Sequence, residues 1–337
     1  MSKLSDVAAR AGVSEATVSR VLNGRPGVSP VTREAVLVAL DVMGYERPTR
    51  LVGAKGRLVG FMVSDITNPV FSAMAAAIGS RLAAEGFGTA LCAVDINGDS
   101  LSEEDYIQLL LDQQVSGVIF AGGAFHNANT PPTRYEPLVE RGIPTVLMNA
   151  TKLDLPFPRV VCDDEQAAIL SWQHLRSLGH TRIGLMLGSP EHVPSSIKRA
   201  TVERLSAEAG TPLEPDLVAY TDYTVENAQG LALRLIREQG VTAIMCSSDL
   251  TALGVLRAAE RLGLSVPRDI SVVGYDDSLL MAHTGPPLTT LRQPVGRMSN
   301  AAVRALVAQV DNPGTIPSNH VYDPELILRG STGLAPS

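Results

Sequence analysis

Eight short apolar runs punctuate the middle of the chain: LVGFMV (58–63), TALCAV (89–94), GVIFAG (117–122), TVLMNA (145–150), RIGLML (182–187), LVAY (217–220), AIMCSS (243–248) and ISVVGY (270–275). They are rich in Val, Ile and Leu, and most alternate with stretches of helical periodicity such as Phe71–Ala84 and Ala228–Gln239. A strand with one wet face alternates polar and apolar residues. A run that is apolar throughout suits a strand covered on both faces, as in a parallel sheet flanked by helices. Strands separated by helices predict βαβ units. About 270 residues is long for one open sheet, so two doubly wound parallel-sheet lobes are expected, with the chain crossing between them near 150–165 and 276–292.

Composition narrows the class further. The chain has 337 residues, 45% of them hydrophobic and 19% charged, with a mean hydropathy of +0.12. That is a globular chain able to bury a large core without staples. Cys92, Cys162 and Cys246 are odd in number and far apart, which argues against a disulfide framework and for a reducing, cytoplasmic compartment. No pair of cysteines forms C-x-x-C and no histidines form H-x-x-x-H, so no zinc and no other cofactor is expected. The start MSKLSDVAARAG carries charges where a signal peptide needs its apolar stretch. No run approaches ~18 apolar residues, so no membrane partner is expected.

The first 45 residues follow a different pattern, an all-α head. Leu4, Val7, Ala8 and Ala11 fall at helical spacing over 4–11, and Gly12 breaks the pattern. Ser14 is placed to cap a second helix through Asn23, whose apolar positions are Val18, Val21 and Leu22. Ser29 followed by Pro30 opens a third helix reaching about Met43. Helix, glycine turn, helix is the helix-turn-helix arrangement, which lays its second helix in the DNA major groove. On that helix Arg20 can bond guanine bidentately, and Thr17, Ser19 and Asn23 can reach phosphates or base edges. The alternative is a small helical bundle with a solvated polar face.

Charge favours the DNA reading. The net charge of −7 argues against a nucleic-acid partner until it is divided along the chain. Residues 1–57 hold nine basic and five acidic residues, a balance of +4, and the remainder carries −11. A basic head on an acidic body is expected to touch DNA through residues 1–57 alone.

The head sequence D-V-A-x-x-A-G-V-S-x-x-T-V-S-R-V-L-N (6–23) resembles the signature of lactose-repressor-type (LacI/GalR) regulators. Val28-Ser29-x-x-Thr32-Arg33 and Gly44-Tyr45 continue the likeness. So do Asn68-Pro69-x-Phe71, Ser116-Gly117-Val118-Ile119, His174-Leu175-x-x-Leu178-Gly179-His180, Ser248-Asp249-x-x-Ala252-x-Gly254, the run 270–277 and Pro287-Leu288-Thr289-Thr290-x-x-Gln293-Pro294. The resemblance implies a head at 1–45, a hinge at 46–57 and a core at 58–337 similar to periplasmic sugar-binding proteins. It implies a homodimer that binds operator DNA, and a small-molecule effector, a sugar or sugar derivative, held between the lobes. The function so implied is a sequence-specific transcriptional regulator, a repressor by type.

The resemblance also assigns residues. Ser14, Glu15, Ala16, Thr17, Ser19, Arg20 and Asn23 match the DNA-reading helix, and Glu15, Ala16 and Arg20 match positions that choose the operator sequence. A carboxylate such as Glu15 repels phosphate but can accept from cytosine N4. Leu51 is the candidate for the leucine that the family's hinge helix wedges into the minor groove. The linker is a few residues shorter than is usual in the family, and Gly53 and Gly56 disfavour a long helix there. For the effector the matching positions are Ser64, Phe71, Asn149, Tyr223, Ser248, Asp249 and Asp276. Lys198 stands where relatives carry arginine, with Arg199 as the alternative register. Lysine lacks the planar fork for bidentate recognition. Strand-end polar residues have a structural alternative, capping the next helix. His126, His192 and His283 fall in expected loops, either at a ligand or simply on the surface.

Two other classes compete. One is a sugar-binding or sensory module whose head serves protein contacts. The other is an enzyme: Gly98-Asp99-Ser100-Leu101 spells the GDSL esterase motif. Those enzymes need an Asp-x-x-His, which this sequence lacks, so Ser100 has no base. No Walker A loop and no G-x-G-x-x-G is present. Asp163-Asp164-Glu165 is a carboxylate cluster suited to a helix N-terminus.

Overall fold

The structure is a computed structural model that describes residues 4–22, 27–29, 31–33, 35–36, 39, 57–94, 101–150 and 155–336. Asn23, Leu51, Ser100 and most of the linker lie outside the described residues. The chain divides into two units, Met1–Lys55 and Gly56–Ser337.

In the first unit, helices α1 (Leu4–Ala11) and α2 (Glu15–Leu22) are joined through Gly12, whose φ of +65° is left-handed and suits glycine. Ser14 caps α2: its Oγ accepts from Thr17 N at 3.2 Å. Ser29 caps the next helical segment in the same way, accepting from Thr32 N at 3.1 Å. Val7, Ala8, Val18, Val21, Val36 and Ala39 form a small buried cluster that holds the helices together. All the apolar faces converge there, which leaves the opposite face of α2 to solvent.

In the second unit all eight apolar runs are strands, and four more join them. Sheet one has the order β11-β5-β4-β3-β1-β2. Its strands are β1 (Leu58–Val63), β2 (Gly88–Ala93), β3 (Gly117–Phe120), β4 (Thr145–Met148), β5 (Arg159–Cys162) and β11 (Asn319–Tyr322). Sheet two has the order β12-β10-β9-β8-β6-β7. Its strands are β6 (Ile183–Leu187), β7 (Val218–Tyr220), β8 (Ala243–Cys246), β9 (Ser271–Asp276), β10 (Thr289–Arg292) and β12 (Glu325–Ile327). Pairing is parallel throughout except between β10 and β12.

Each sheet is covered on both faces, as continuous apolar strands require. Helices Pro69–Ala84 and Val295–Asp311 bury Met74, Ile78, Leu82, Met298 and Leu306 against one face of sheet one. Helix Glu103–Asp112 covers the other face with Ile107, Leu110 and Leu111. Sheet two is packed by helices Val225–Gln239 and Asp249–Arg261 on one face and by Asp164–Ser177 and Val193–Glu208 on the other. Full burial of each such aliphatic side chain contributes about 1.5–3 kcal/mol.

The chain passes between lobes three times, at 162–164, 292–295 and 322–325. The segment after β12 is tied back to lobe two. His180, fully buried, reaches Thr242 Oγ1 through Nδ1 at 2.9 Å, and its Nε2 lies 3.1 Å from Gly333 O. The motif 174–180 that carries part of the resemblance is thus a fastening for the last strand's continuation.

Candidate functional site

The carboxyl ends of both parallel sheets face a cavity of about 490 Å³. Ligands in open α/β sheets bind at that end of the strands, where loops are free to vary. From sheet one come Ser64 after β1, Phe71 at the start of the following helix, and Asn149 after β4. From sheet two come Lys198, Tyr223, Ser248 and Asp276.

Asn149 sits at φ +60°, a left-handed conformation that asparagine tolerates. Its Oδ1 accepts from Cys162 N at 3.0 Å, and its Nδ2 donates to Gln293 Oε1 at 3.4 Å. Gln293 Nε2 donates to Asp276 Oδ1 at 2.6 Å. Asn149 in lobe one and Asp276 in lobe two are therefore linked through a residue on the second crossing. Burial, and then the nearby Asp249 charge, push the Asp276 carboxyl well above the usual carboxylate range.

Lys198 has its ammonium in the cavity wall, ion-paired to Asp164 and 4.3 Å from the centre of the Tyr275 ring. Both charged groups are buried. Burial raises the Asp164 pKa, and the lysine's charge opposes that rise. Arg199, the other register, instead bonds Glu203 at 2.7 Å and the Tyr220 hydroxyl at 2.6 Å, away from the cavity. The acidic cluster separates into three roles. Asp163 caps its helix, accepting from Gln166 N at 2.9 Å, Asp164 pairs with Lys198, and Glu165 pairs with Arg204 at 2.9 Å.

Two expected effector positions have structural duties. Ser248 lines the cavity, yet its Oγ also accepts from Thr251 N at 3.2 Å in a capping box. Asp249, expected at the ligand, is not among the lining residues and corrects that expectation. It is buried beneath β9, where its oxygens accept from Ser278 N and Thr290 Oγ1, each at 2.7 Å. Gly274 makes room for it: a Cβ there would come within 2.5 Å of Asp249 Oδ1. Asp277 likewise points at arginines, Arg292 at 2.7 Å and Arg329 at 2.5 Å.

The structure adds residues that single-chain patterning did not assign. His126 and His192 both line the cavity, whereas His283 is exposed and does not. Their rings are 5.4 Å apart, and His192 is 5.7 Å from the Tyr223 ring. The loops carrying them are joined by a β-bridge between Asn127 and His192 and by Ala128 N donating to Glu191 O at 2.8 Å. Burial lowers the pKa of His126 to about 4 and of His192 to about 2. Glu103 is buried in the wall, accepting from Tyr135 Oη at 2.6 Å and from Ala124 N at 2.8 Å, and so fixes the loop that presents His126. Three wall atoms, His126 Nε2, Arg134 Nε and Ser247 Oγ, have no hydrogen-bond partner among the described residues.

On the head, Ser14, Glu15, Ala16 and Arg20 are exposed, while Thr17 and Ser19 are half-buried. Val18 and Val21 point into the cluster, so Glu15, Ala16 and Arg20 occupy the outward face of α2. No helix among the described residues is long and apolar enough to cross a membrane, and none of their His, Cys, Asp and Glu side chains group as a metal site. Cys92, Cys162 and Cys246 are buried free thiols.

A two-lobed cleft with a ligand-sized cavity, carried on the same chain as a helix-turn-helix head, defines the class of ligand-responsive DNA-binding regulators. Comparison with known proteins names the family. Residues 3–48 match the model for bacterial regulatory proteins of the lacI family, and residues 172–332 match a periplasmic binding protein-like domain. The chain is 46% identical to the HTH-type transcriptional regulator reg1 of Streptomyces lividans over 99% of its own length and 97% of the relative's. The transcriptional regulator CelR in complex with cellobiose shares the fold at a TM-score of 0.72 and 30% identity, over 98% of this chain and 100% of that one. The lac repressor dimer bound to operator and the anti-inducer ONPF matches at 0.73 and 28%, over 98% and 99%. A LacI family regulator from Enterococcus faecium with bound ribose matches at 0.73 and 26%, over 82% and 98%. The chain belongs to the LacI family and is a DNA-binding transcriptional regulator.

Proposed function

We propose that this regulator acts as a repressor-type homodimer whose two heads read the half-sites of an operator and whose core binds a sugar between its lobes. The observation that carries the reading is the cavity wall. Polar groups at Ser247, His126, Asn149 and Asp276 line the same wall, and Phe71 and Tyr223 supply ring-sized apolar faces. That mixture of stacking surface and convergent polar groups suits a polyol ring. The cellobiose and ribose held by two structural neighbours support the same class of ligand.

The effector contacts are assigned to Ser64, Phe71, Asn149, Lys198, Tyr223, Ser248 and Asp276. Ser14, Glu15, Ala16, Thr17, Ser19, Arg20 and Asn23 are assigned to the operator, with Leu51 at the hinge. The proposed division is a head at 1–45, a hinge at 46–57 and a core at 58–337. Lys198 acts here as a fixed charge rather than a fork. Coupling between the sites has to come from a difference in sugar affinity between the open and closed core. The cavity's role is binding, not turnover, and the DNA partner places the protein in the cytoplasm. The test is gel-shift binding of the full chain to its own upstream region, with and without a panel of sugars. A specific shift altered by one sugar supports the reading. Upstream DNA bound no better than random DNA overturns it.

A further inference from the structure

We propose that the core carries a latch of its own. An arm from lobe one, residues 121–135, closes onto the turn 188–192 of lobe two and holds the cleft shut without help from the effector, which enters and leaves only when the latch parts. This rests on the reading of the cleft as the effector site and adds what controls exchange through it. It does not depend on the ligand being a sugar.

The arm is stiff. It runs from β3 to the helix Glu136–Glu140 through two short 3-10 turns, Ala124–His126 and Pro132–Tyr135. Its base is pinned to the sheet, where the Phe125 and Tyr135 rings meet Phe120 edge to face at 6.2 and 5.7 Å. Glu103 ties the two ends of the arm together, accepting from Ala124 N and from Tyr135 Oη. Gly123 makes this possible, because a Cβ there would run into the Glu103 carboxylate. The tip is a tight turn, with Thr130 N donating to Asn127 O at 3.0 Å and Asn129 N to Asn127 Oδ1 at 2.8 Å. An arm so bonded within itself moves with lobe one as a piece.

The receiving turn is equally fixed. His192 N donates to Ser189 O at 3.0 Å, and Ser195 Oγ accepts from Gly188 N at 3.0 Å. The turn therefore moves with helix Val193–Glu208. Between these two stiff pieces stand the Asn127–His192 bridge, the 2.8 Å hydrogen bond from Ala128 N to Glu191 O, and the paired imidazole rings. Each of these contacts joins protein to protein, so closure needs no ligand.

Placement makes the latch a gate. The covalent crossings run at the β5 and β11 side of sheet one and the β10 and β12 side of sheet two. The latch loops leave other strands: β3 stands two inter-strand spacings from β5, and β6 three from β10, about 10 and 14 Å. The crossings thus serve as the hinge, and the latch closes the cleft at a distance from them. There an opening of roughly 15° parts the loops by about 4 Å, beyond the reach of a hydrogen bond.

The test begins on the full chain with no sugar added, by hydrogen exchange at the Ala128 amide. Ala128 is exposed and donates to Glu191 O, so the latch is what protects its amide. We expect exchange slowed by more than about tenfold against an unprotected amide. Exchange at the unprotected rate overturns the latch and leaves the sugar reading standing. Two variants then test the gate by stopped-flow mixing with cellobiose and with ribose. Ala128→Cys with Glu191→Cys, both exposed and away from the cavity wall, bolts the latch when oxidised. The oxidised form should take up and release sugar more than about tenfold more slowly than the same protein reduced. Ala128→Pro removes the latch donor. Proline suits the position, because Asn127 before it is extended at φ −88° and ψ 124° and Ala128 is the second residue of the tip turn. This variant should quicken release by roughly two- to tenfold with an unchanged melt. Equal rates in oxidised and reduced protein overturn the gate, and so does failure of the cysteine pair to cross-link. If neither sugar binds, the sugar reading falls, and amide exchange with cross-linking decides the latch.

Discussion

The imidazoles of His126 and His192 face each other with ring centroids 5.4 Å apart, one from each lobe of the core. His126 follows β3 and His192 follows β6, so the pair forms only when the lobes meet. The Asn127–His192 bridge fastens the same two loops. The two rings therefore report on the closed state of the cleft.

The pair predicts an acid limit on effector binding. Burial is the main cause that brings the two pKa values to about 4 and about 2, with the Lys198 charge acting in the same direction on both and His126 on His192. A histidine whose pKa falls on closure favours the closed form while it is neutral, above its ordinary pKa of about 6.5. That contribution is lost as pH drops from about 6.5 toward 4. The backbone of Met148 and Asn149, hydrogen-bonded to His126, and the Tyr223 hydroxyl, 3.3 Å from His192 Nδ1, face the same pair. Sugar affinity by calorimetry should be level above about pH 7 and fall by up to about tenfold per unit per histidine below 6. His126→Gln should flatten that acid arm. An unchanged arm in both His126→Gln and His192→Gln would remove the histidines from the closure equilibrium.

Lys198 and Asp164 predict a large single-site cost and a smaller paired one. Each is buried, and removing either leaves the other as an uncompensated charge. Lys198→Met should cost about 3–5 kcal/mol in urea unfolding. Lys198→Met with Asp164→Asn should recover much of that, because no buried charge remains. Strictly additive losses in the double variant would show that the two groups are not a pair in solution.

Asp249 predicts a loss of stability rather than of ligand contact. Its carboxylate accepts from Ser278 N and Thr290 Oγ1, and burial pushes its pKa up to about 6. Asparagine offers one acceptor oxygen and places two N–H donors against donors. Asp249→Asn should lower unfolding stability by about 1–3 kcal/mol, and effector affinity should follow only through that loss. A full-stability variant with weakened sugar binding would return Asp249 to the ligand. The raised pKa also has a sign. The folded chain prefers this group protonated, so its carboxyl opposes folding as pH rises through about 6, and Asp249→Asn removes that slope.

The residues that were legible in the sequence and those that were not differ physically. The apolar runs were legible because a strand covered on both faces needs an unbroken row of aliphatic side chains. β5, β10, β11 and β12 were not, because Arg159, Thr289, Thr290, His320 and Glu325 interrupt or replace the apolar row. Strand-end positions such as Ser64, Asn149 and Asp276 follow from the sheet rule and the family likeness. Gln293 is joined to Asn149 across 144 residues of chain, and His126 meets His192 only through the lobe contact. Such pairings have no local spacing to betray them. Asp249 misled because an acid after a strand has the same sequence signature at a ligand and at a buried turn.

Arg20 carries the prediction for the head. It lies exposed on the face of α2 opposite Val18 and Val21, with Glu15 and Ala16 on the same face. A guanidinium there can take guanine O6 and N7 together, a pairing worth about 1–3 kcal/mol of discrimination. Arg20→Ala should therefore relax preference at one operator position by that amount in a competition assay. Binding to random DNA should change little, and so should the dependence on salt. If Arg20 contacts phosphate instead, the variant should weaken all sequences alike and reduce the slope of log affinity against log salt by about one. Wild-type binding should itself fall steeply with salt, because residues 1–57 carry +4 in each copy. A flat salt response would mean that the basic head is not what holds the DNA.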